Sequence, residues 1–198
     1  KFLPEVILDT PFPKTMKWAE LNIQFARPMY AIMALLGGSI VSFSLGNLNS
    51  GRYTYGHSFM HPGKVKIEHP GTYLESLKKV WVIADIEERK RMVIREVERA
   101  ASAVGGKVLP DEDLVDIVTN LVEYPIATAG KFDDEFLEIP REILITAMRE
   151  HQKYFAVIDE SGQLMPHFIA VNNTRTRDLD LVATGHERVL RARLSDAQ

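Results

Sequence analysis

The chain has 198 residues, of which 45% are apolar and 26% charged, a balance that supports a buried core and excludes a disordered or collagen-like composition. The absence of cysteine removes disulfides and thiolate metal sites and fits a reducing, cytosolic compartment. A formal net charge of −3 selects no partner, since recognition follows local charge, and no apolar run reaches the roughly 18–20 residues of a membrane helix. The first residues, KFLPEVILDT, carry no signal-peptide pattern. With no initiating Met and a last stretch that stops in mid-helix, the sequence is expected to be an internal piece of a longer protein.

Taken in order, Phe2–Leu8 reads as the end of a helix, closed by Thr10-Pro11-Phe12-Pro13. Residues 14–18 form an entry segment, and 19–25 declare no period. Residues 27–36, RPMYAIMALL, are almost continuously apolar and are expected as a buried strand entering a hairpin at Gly37-Gly38; a short buried helix has the same signature. Residues 40–45 alternate as a strand, 46–55 are turn-rich, and 56–62 read as a loop. A short strand at 65–67, a short helix at 72–79 and a buried strand at 80–83 follow. Asp85 and Glu88 make the D-x-x-E start of a helix whose inner face is Ile86, Val93, Val97, Ala100 and Val104, ended by Gly105-Gly106. Its outer side carries Arg91, Arg95 and Arg99 at four-residue steps, a phosphate-facing stripe or, with Glu87, Glu96 and Glu98 nearby, a solvated face.

Pro110-Asp111 opens another helix, with Leu114, Ile117, Val118 and Leu121 inside, and Glu123-Tyr124-Pro125 breaks it before a strand from Ile126. Pro140 then starts a helix with Ile143, Ala147 and His151 on one face beside Leu144 and Met148. After Gln152 the period changes to two, and a strand through 154–159 pairs with 163–173 across Glu160-Ser161-Gly162. His151, Gln152 and Lys153 sit where helix hands over to strand. There His151 is either a local cap on a backbone carbonyl or, with Glu123 from another such corner, an acid–base pair. The closing segment is helical on both sides of Gly185 and rich in arginine: Arg175, Arg177, Arg188, Arg191 and Arg193. Guanidinium groups donate paired hydrogen bonds to phosphate, and with Tyr154 and Phe155 nearby this density leans toward RNA contact.

Phosphate-binding glycine loops, H-E-x-x-H and G-x-S-x-G are all missing. His57 and His61 are four apart in a Gly/Pro-bearing loop with no third ligand in view, so no metal is expected.

Five segments, FPKTMKW (12–18), RPMYAIMALLGG (27–38), GHSFM (56–60), MREHQKYFAV (148–157) and GHERVLRARLSDA (185–197), resemble, in the same order, the beta subunit of bacterial glycyl-tRNA synthetase. One departure is His186, where the family motif has Asn. The resemblance implies a mixed α+β fold, mainly antiparallel sheet with packed helices, similar to the editing-type domain of the phenylalanyl-tRNA synthetase beta chain. It divides the chain into the end of a preceding helix and linker (1–13), the α+β domain (14–177), and a closing helical segment (178–198) leading to the next domain. Phosphohydrolase-like and anticodon-binding domains would follow.

The resemblance also implies an α2β2 ligase in the cytoplasm that joins glycine to its tRNA. ATP and Mg2+ would be held by the alpha subunit, with no cofactor in this piece. The implied partners are the alpha subunit and tRNA(Gly), with no membrane. This piece would then be a tRNA-binding and scaffold module, itself non-catalytic, with Arg188, Arg191, Arg193, Lys153 and Arg175 as its RNA-contacting candidates. The alternatives are a hydrolase deacylating mischarged tRNA through His151 and Glu123, or a purely structural module. Editing removes amino acids that a synthetic pocket cannot reject, typically smaller ones, and nothing is smaller than glycine. Binding is therefore the favoured reading.

Overall fold

A computed structural model of the protein describes residues 2–18 and 20–196. Ala19, in the stretch without a period, and Ala197, at the end of the closing motif, lie outside the described residues. The chain falls into two compact units, residues 1–82 and 83–198, a division inside the stretch 14–177. Both are mixed α and β, and all described strand pairs but one are antiparallel.

The first unit begins with the helix Phe2–Leu8 and continues as short strand pairs. The apolar residues 27–36 do not form the expected buried strand. They break into Ile32–Met33, parallel to Leu48–Gly51, and Leu35–Leu36, which hairpins onto Ser39–Ile40 with Gly37 at φ 57°. Tyr30 and Leu36 stay 86% and 77% exposed, so length and apolarity misled here. Tyr53–Tyr55 pairs with Lys64–Lys66 around the loop 56–63. Residues 80–83 are not a strand either. They stop the helix Tyr73–Lys78: Trp81 takes the left-handed conformation (φ 65°), its N–H reaches Lys78 and that of Val82 reaches the Leu77 carbonyl. This closes the helix end as glycine usually does.

The second unit is built on a four-stranded antiparallel sheet, Lys107–Val108, Phe155–Ile158, Leu164–Asn172 and Ile126–Lys131 in spatial order. Both faces are covered, so both side-chain sets of each central strand are buried. Phe155, Val157 and Ile169 pack with Val93, Val97, Ala100 and Ala101 of the helix Ile86–Ala103 and with Leu114 and Val118 of the helix Glu112–Leu121. Tyr154, Ala156, Phe168 and Ala170 pack on the opposite side with Phe136, Leu144, Met148, Leu190 and Leu194. Asp85 caps the long helix by accepting from the Glu88 N–H at 2.8 Å, and Asp111 caps the next from Leu114 at 2.9 Å. Ile86 and Leu121, placed inside by their spacing, lie at helix ends and are 53% and 62% exposed.

Strand Ile126–Lys131 forms an outer edge, and three of its outward backbone groups are engaged. Glu96 accepts from the Ala127 N–H at 3.2 Å, Arg99 donates to the Ala127 carbonyl at 3.2 Å, and Glu187 accepts from the Lys131 N–H at 2.9 Å.

Candidate nucleic-acid interface

The closing segment is one helix, Leu179–Ser195, unbroken at Gly185 and capped by Asp178, which accepts from the Leu181 N–H at 2.9 Å. Leu190 and Leu194 are fully buried against the sheet. Polar anchors reinforce that seat. Glu187 holds the edge strand, and Arg191 donates to Asp133 at 2.9 Å.

The third anchor is a chain of side chains through His186. Its Nδ1 lies 2.8 Å from the Tyr154 hydroxyl and its Nε2 lies 2.9 Å from Asn172 Oδ1. Asn172 uses its Nδ2 to donate to the Ile126 carbonyl at 3.3 Å, which turns its oxygen toward the imidazole. Nε2 therefore carries the proton and donates, leaving Nδ1 to accept from Tyr154. Burial lowers the His186 pKa from 6.5, which favours the neutral ring this chain needs, and raises that of Tyr154 to about 12. His186 is thus a link between helix and sheet.

The sequence-derived candidates separate into several environments. Arg188 is exposed and makes no hydrogen bond or ion pair to any described residue. Arg191, one turn on, is committed to Asp133. Arg193 is exposed beside an open cavity of about 400 Å³ that it shares with Glu142, Ile143, Thr146, His151 and Asp196. Lys153 takes the left-handed conformation (φ 58°) and donates through Nζ to the Glu150 carbonyl at 3.0 Å. Arg175 is exposed in the connection between the last strand and the closing helix. On the long helix, Arg99 is tied to Glu96 at 2.8 Å and to the edge strand, whereas Arg91 and Arg95 are exposed.

His151 is not the local cap its position suggested. Residues Ala147–Gln152 form a π-helical turn, whose i→i+5 bonding is wider than the α-helical one. The buried pair is Leu144 and Met148, while Ile143 is 46% exposed and His151 is turned outward into the cavity. The carboxylates lining that cavity are Glu142 and Asp196. Glu123 is at another corner, where its backbone N–H reaches Asn173 and its carbonyl accepts from Ile83. Arg149, just before, is bound to Asp111 at 2.6 Å and to Glu150, which ties the π turn to the cap of the helix Glu112–Leu121.

His57 is 1% exposed, and its Nδ1 accepts the N–H groups of Phe59 and Met60 at 3.2 and 3.1 Å. It caps the loop from within. Among the described residues no group of three or more His, Asp or Glu is arranged to hold a metal ion, and no helix is long and apolar enough to cross a membrane.

Comparison with known proteins adds the following. A family model described as glycyl-tRNA synthetase beta subunit matches residues 1–198. The chain is 53% identical over 196 residues to a glycine–tRNA ligase beta subunit of Desulforapulum autotrophicum, covering 99% of this chain and 28% of that protein. It is 54% identical to that of Desulfatibacillum aliphaticivorans and 48% identical to that of Geobacter sulfurreducens, over all of this chain and 29% of each relative. The chain thus spans less than a third of the length of the curated relatives it matches.

Proposed function

The chain belongs to the glycyl-tRNA synthetase beta subunit family, and from that premise we propose that it is the tRNA-binding and scaffold part of the beta subunit of a cytoplasmic α2β2 glycine–tRNA ligase. In this reading the alpha subunit holds glycine, ATP and Mg2+, and the present chain carries no step of the chemistry. It holds the tRNA and helps set its acceptor end at the alpha subunit.

The observation that carries the reading is Arg188. Its guanidinium is exposed and uncommitted, on a helix fixed by two buried leucines, by His186 and by two ion-pair or hydrogen-bond anchors. A cation on so fixed a support meets phosphate with little ordering cost beyond its own side chain. Arg191, occupied by Asp133, serves the support rather than the contact.

The test uses the complete enzyme. Arg188→Ala should weaken tRNA binding and flatten the logarithmic salt dependence by about 0.7–0.9, one phosphate contact's worth. Glycine-dependent pyrophosphate exchange should be unchanged. An affinity and salt slope equal to wild type would remove the closing helix from the tRNA surface.

A further inference from the structure

A second surface, in the first unit, has a different composition. Strand Tyr53–Tyr55 pairs antiparallel with Lys64–Lys66 in the register Tyr53 to Lys66, Thr54 to Val65 and Tyr55 to Lys64. Side chains alternate across a strand, and opposite residues share a face. Thr54 and Val65 are half-buried, and Ile67 beyond them is fully buried. The other face therefore presents Tyr53 and Tyr55, 48% and 42% exposed, each opposite an exposed lysine.

The charge of this face is cationic. Glu68 is shared between Lys66 at 2.6 Å and Arg52 at 2.8 Å, and Lys64 makes no ion pair with any described residue. Lys64 and Lys66 against Glu68 leave this face a surplus of one positive charge (2 − 1), and Arg52 reaches Glu68 from the other face. The ribbon is also stiff. Its loop is closed by the Gly56 N–H donating to Gly63 at 3.2 Å and is capped internally by His57. A Cβ at Gly56 would stand 2.8 Å from His61 and 2.9 Å from Val80, so only glycine fits there. Phe59, in that loop, is 74% exposed.

A single exposed aromatic needs no explanation. Two tyrosines on one face of a rigid ribbon, with lysines opposite both, match the means by which proteins hold unpaired nucleotides. Bases stack on the rings, and cations follow the backbone. We infer that the Tyr53, Tyr55, Lys64 and Lys66 face is a stacking platform for unpaired nucleotides of the bound tRNA. Along a strand, residues two apart are separated by about 6.7 Å, which leaves each ring its own base. The excess positive charge favours RNA over an apolar protein segment as the occupant. The identity of the RNA rests on the function proposed above; the ribbon's geometry does not.

The test again uses the complete enzyme, with labelled glycine-accepting tRNA as the probe. Tyr53→Ala with Tyr55→Ala should weaken binding about 5- to 150-fold for each base that loses its ring, with the salt slope unchanged. Tyr53→Phe with Tyr55→Phe should bind as wild type, because stacking needs the ring and not the hydroxyl. Lys64→Ala, at a position whose side chain points to solvent, should reduce the salt slope by about 0.7. Wild-type affinity in the alanine pair overturns the platform, including the case where melting falls because other protein covers the face. Equal losses in the alanine and phenylalanine pairs overturn it too, since they would assign the contact to the hydroxyls. Arg188→Ala measured alongside keeps the two readings apart. If it alone weakens binding, the ribbon proposal falls and the closing helix stands; if the tyrosines alone matter, the reverse holds. If neither does, both fall.

Discussion

Replacing Tyr154 with Phe removes one oxygen and leaves the packing around it in place. The ring is 5% exposed and stacks on Phe168 at 4.7 Å, contacts that phenylalanine keeps. What is lost is the hydrogen bond to His186 Nδ1, worth about 1 kcal/mol net. The acceptor is left unpaired in a half-buried place that water partly reaches, so the total is about 1–2 kcal/mol. For a cooperative unit of this size that is a drop of about 4–8 °C in melting temperature. Thermal and urea unfolding followed by circular dichroism at pH 7.5 would measure it.

Acid supplies a second arm of the same test. Burial holds the folded pKa of His186 below its ordinary 6.5, so the unfolded chain binds that proton more readily. Its contribution to stability is complete above 6.5 and is lost as pH falls from 6.5 toward the folded value. His167 is lowered in the same direction, by burial first and then by Lys131, so His186→Asn should reduce the slope between pH 7 and 5 without abolishing it. If Tyr154→Phe unfolds within about 0.3 kcal/mol of wild type, the hydrogen-bonded chain does no work, since neighbouring substitutions in one network rarely cancel so closely.

Two further expectations concern the same unit. A Cβ on Gly130 would lie 2.5 Å from Cζ of the fully buried Phe168, so Gly130→Ala should lower stability by about 1–3 kcal/mol, read as a reduced urea midpoint. His151→Ala, at an exposed side chain without a hydrogen bond to any described residue, should change stability by less than about 0.5 kcal/mol; a fall beyond 1.5 kcal/mol in the same melts would mean that the π turn depends on the imidazole.

The parts of this fold legible in the sequence are those whose signals are local. Asp85 and Asp111 announce their helices through side chains that reach only three residues along, and Gly105 stops the long helix at φ 77°. The hairpin between 158 and 164 is written in Asp159, whose carboxylate accepts from Ser161 and Gln163, and in Gly162 at φ 82°. Local signals failed where an apolar run had other uses. Residues 27–36 were spread over short, half-exposed strands, and residues 80–83 served as a helix stop.

The candidate interface was legible as composition, not as roles. Whether Arg191 or Arg188 is free depends on Asp133, 58 residues from Arg191 and brought near by the sheet. No spacing rule reports such a distance. Of the helix face read from spacing, Leu144 and Met148 are buried, whereas Ile143 and His151 are exposed. Tyr53 and Tyr55 sat in a stretch read as turns, and their lysine partners emerged only with the strand register.

The edge at Ile126–Lys131 has a consequence for the protein among its own copies. An open strand normally offers unpaired N–H and carbonyl groups as a template on which another chain can crystallise as one more strand. Here Glu96 and Arg99 imitate that incoming strand at Ala127, and Glu187 does so at Lys131. Any intruder must first strip away an ion pair and a helix-borne carboxylate, each already satisfied. The opposite edge, Lys107–Val108, is only two residues long and gives an intruder too short a hold. The sheet is thus guarded at both edges without being closed into a barrel, which limits sideways growth of one copy onto another.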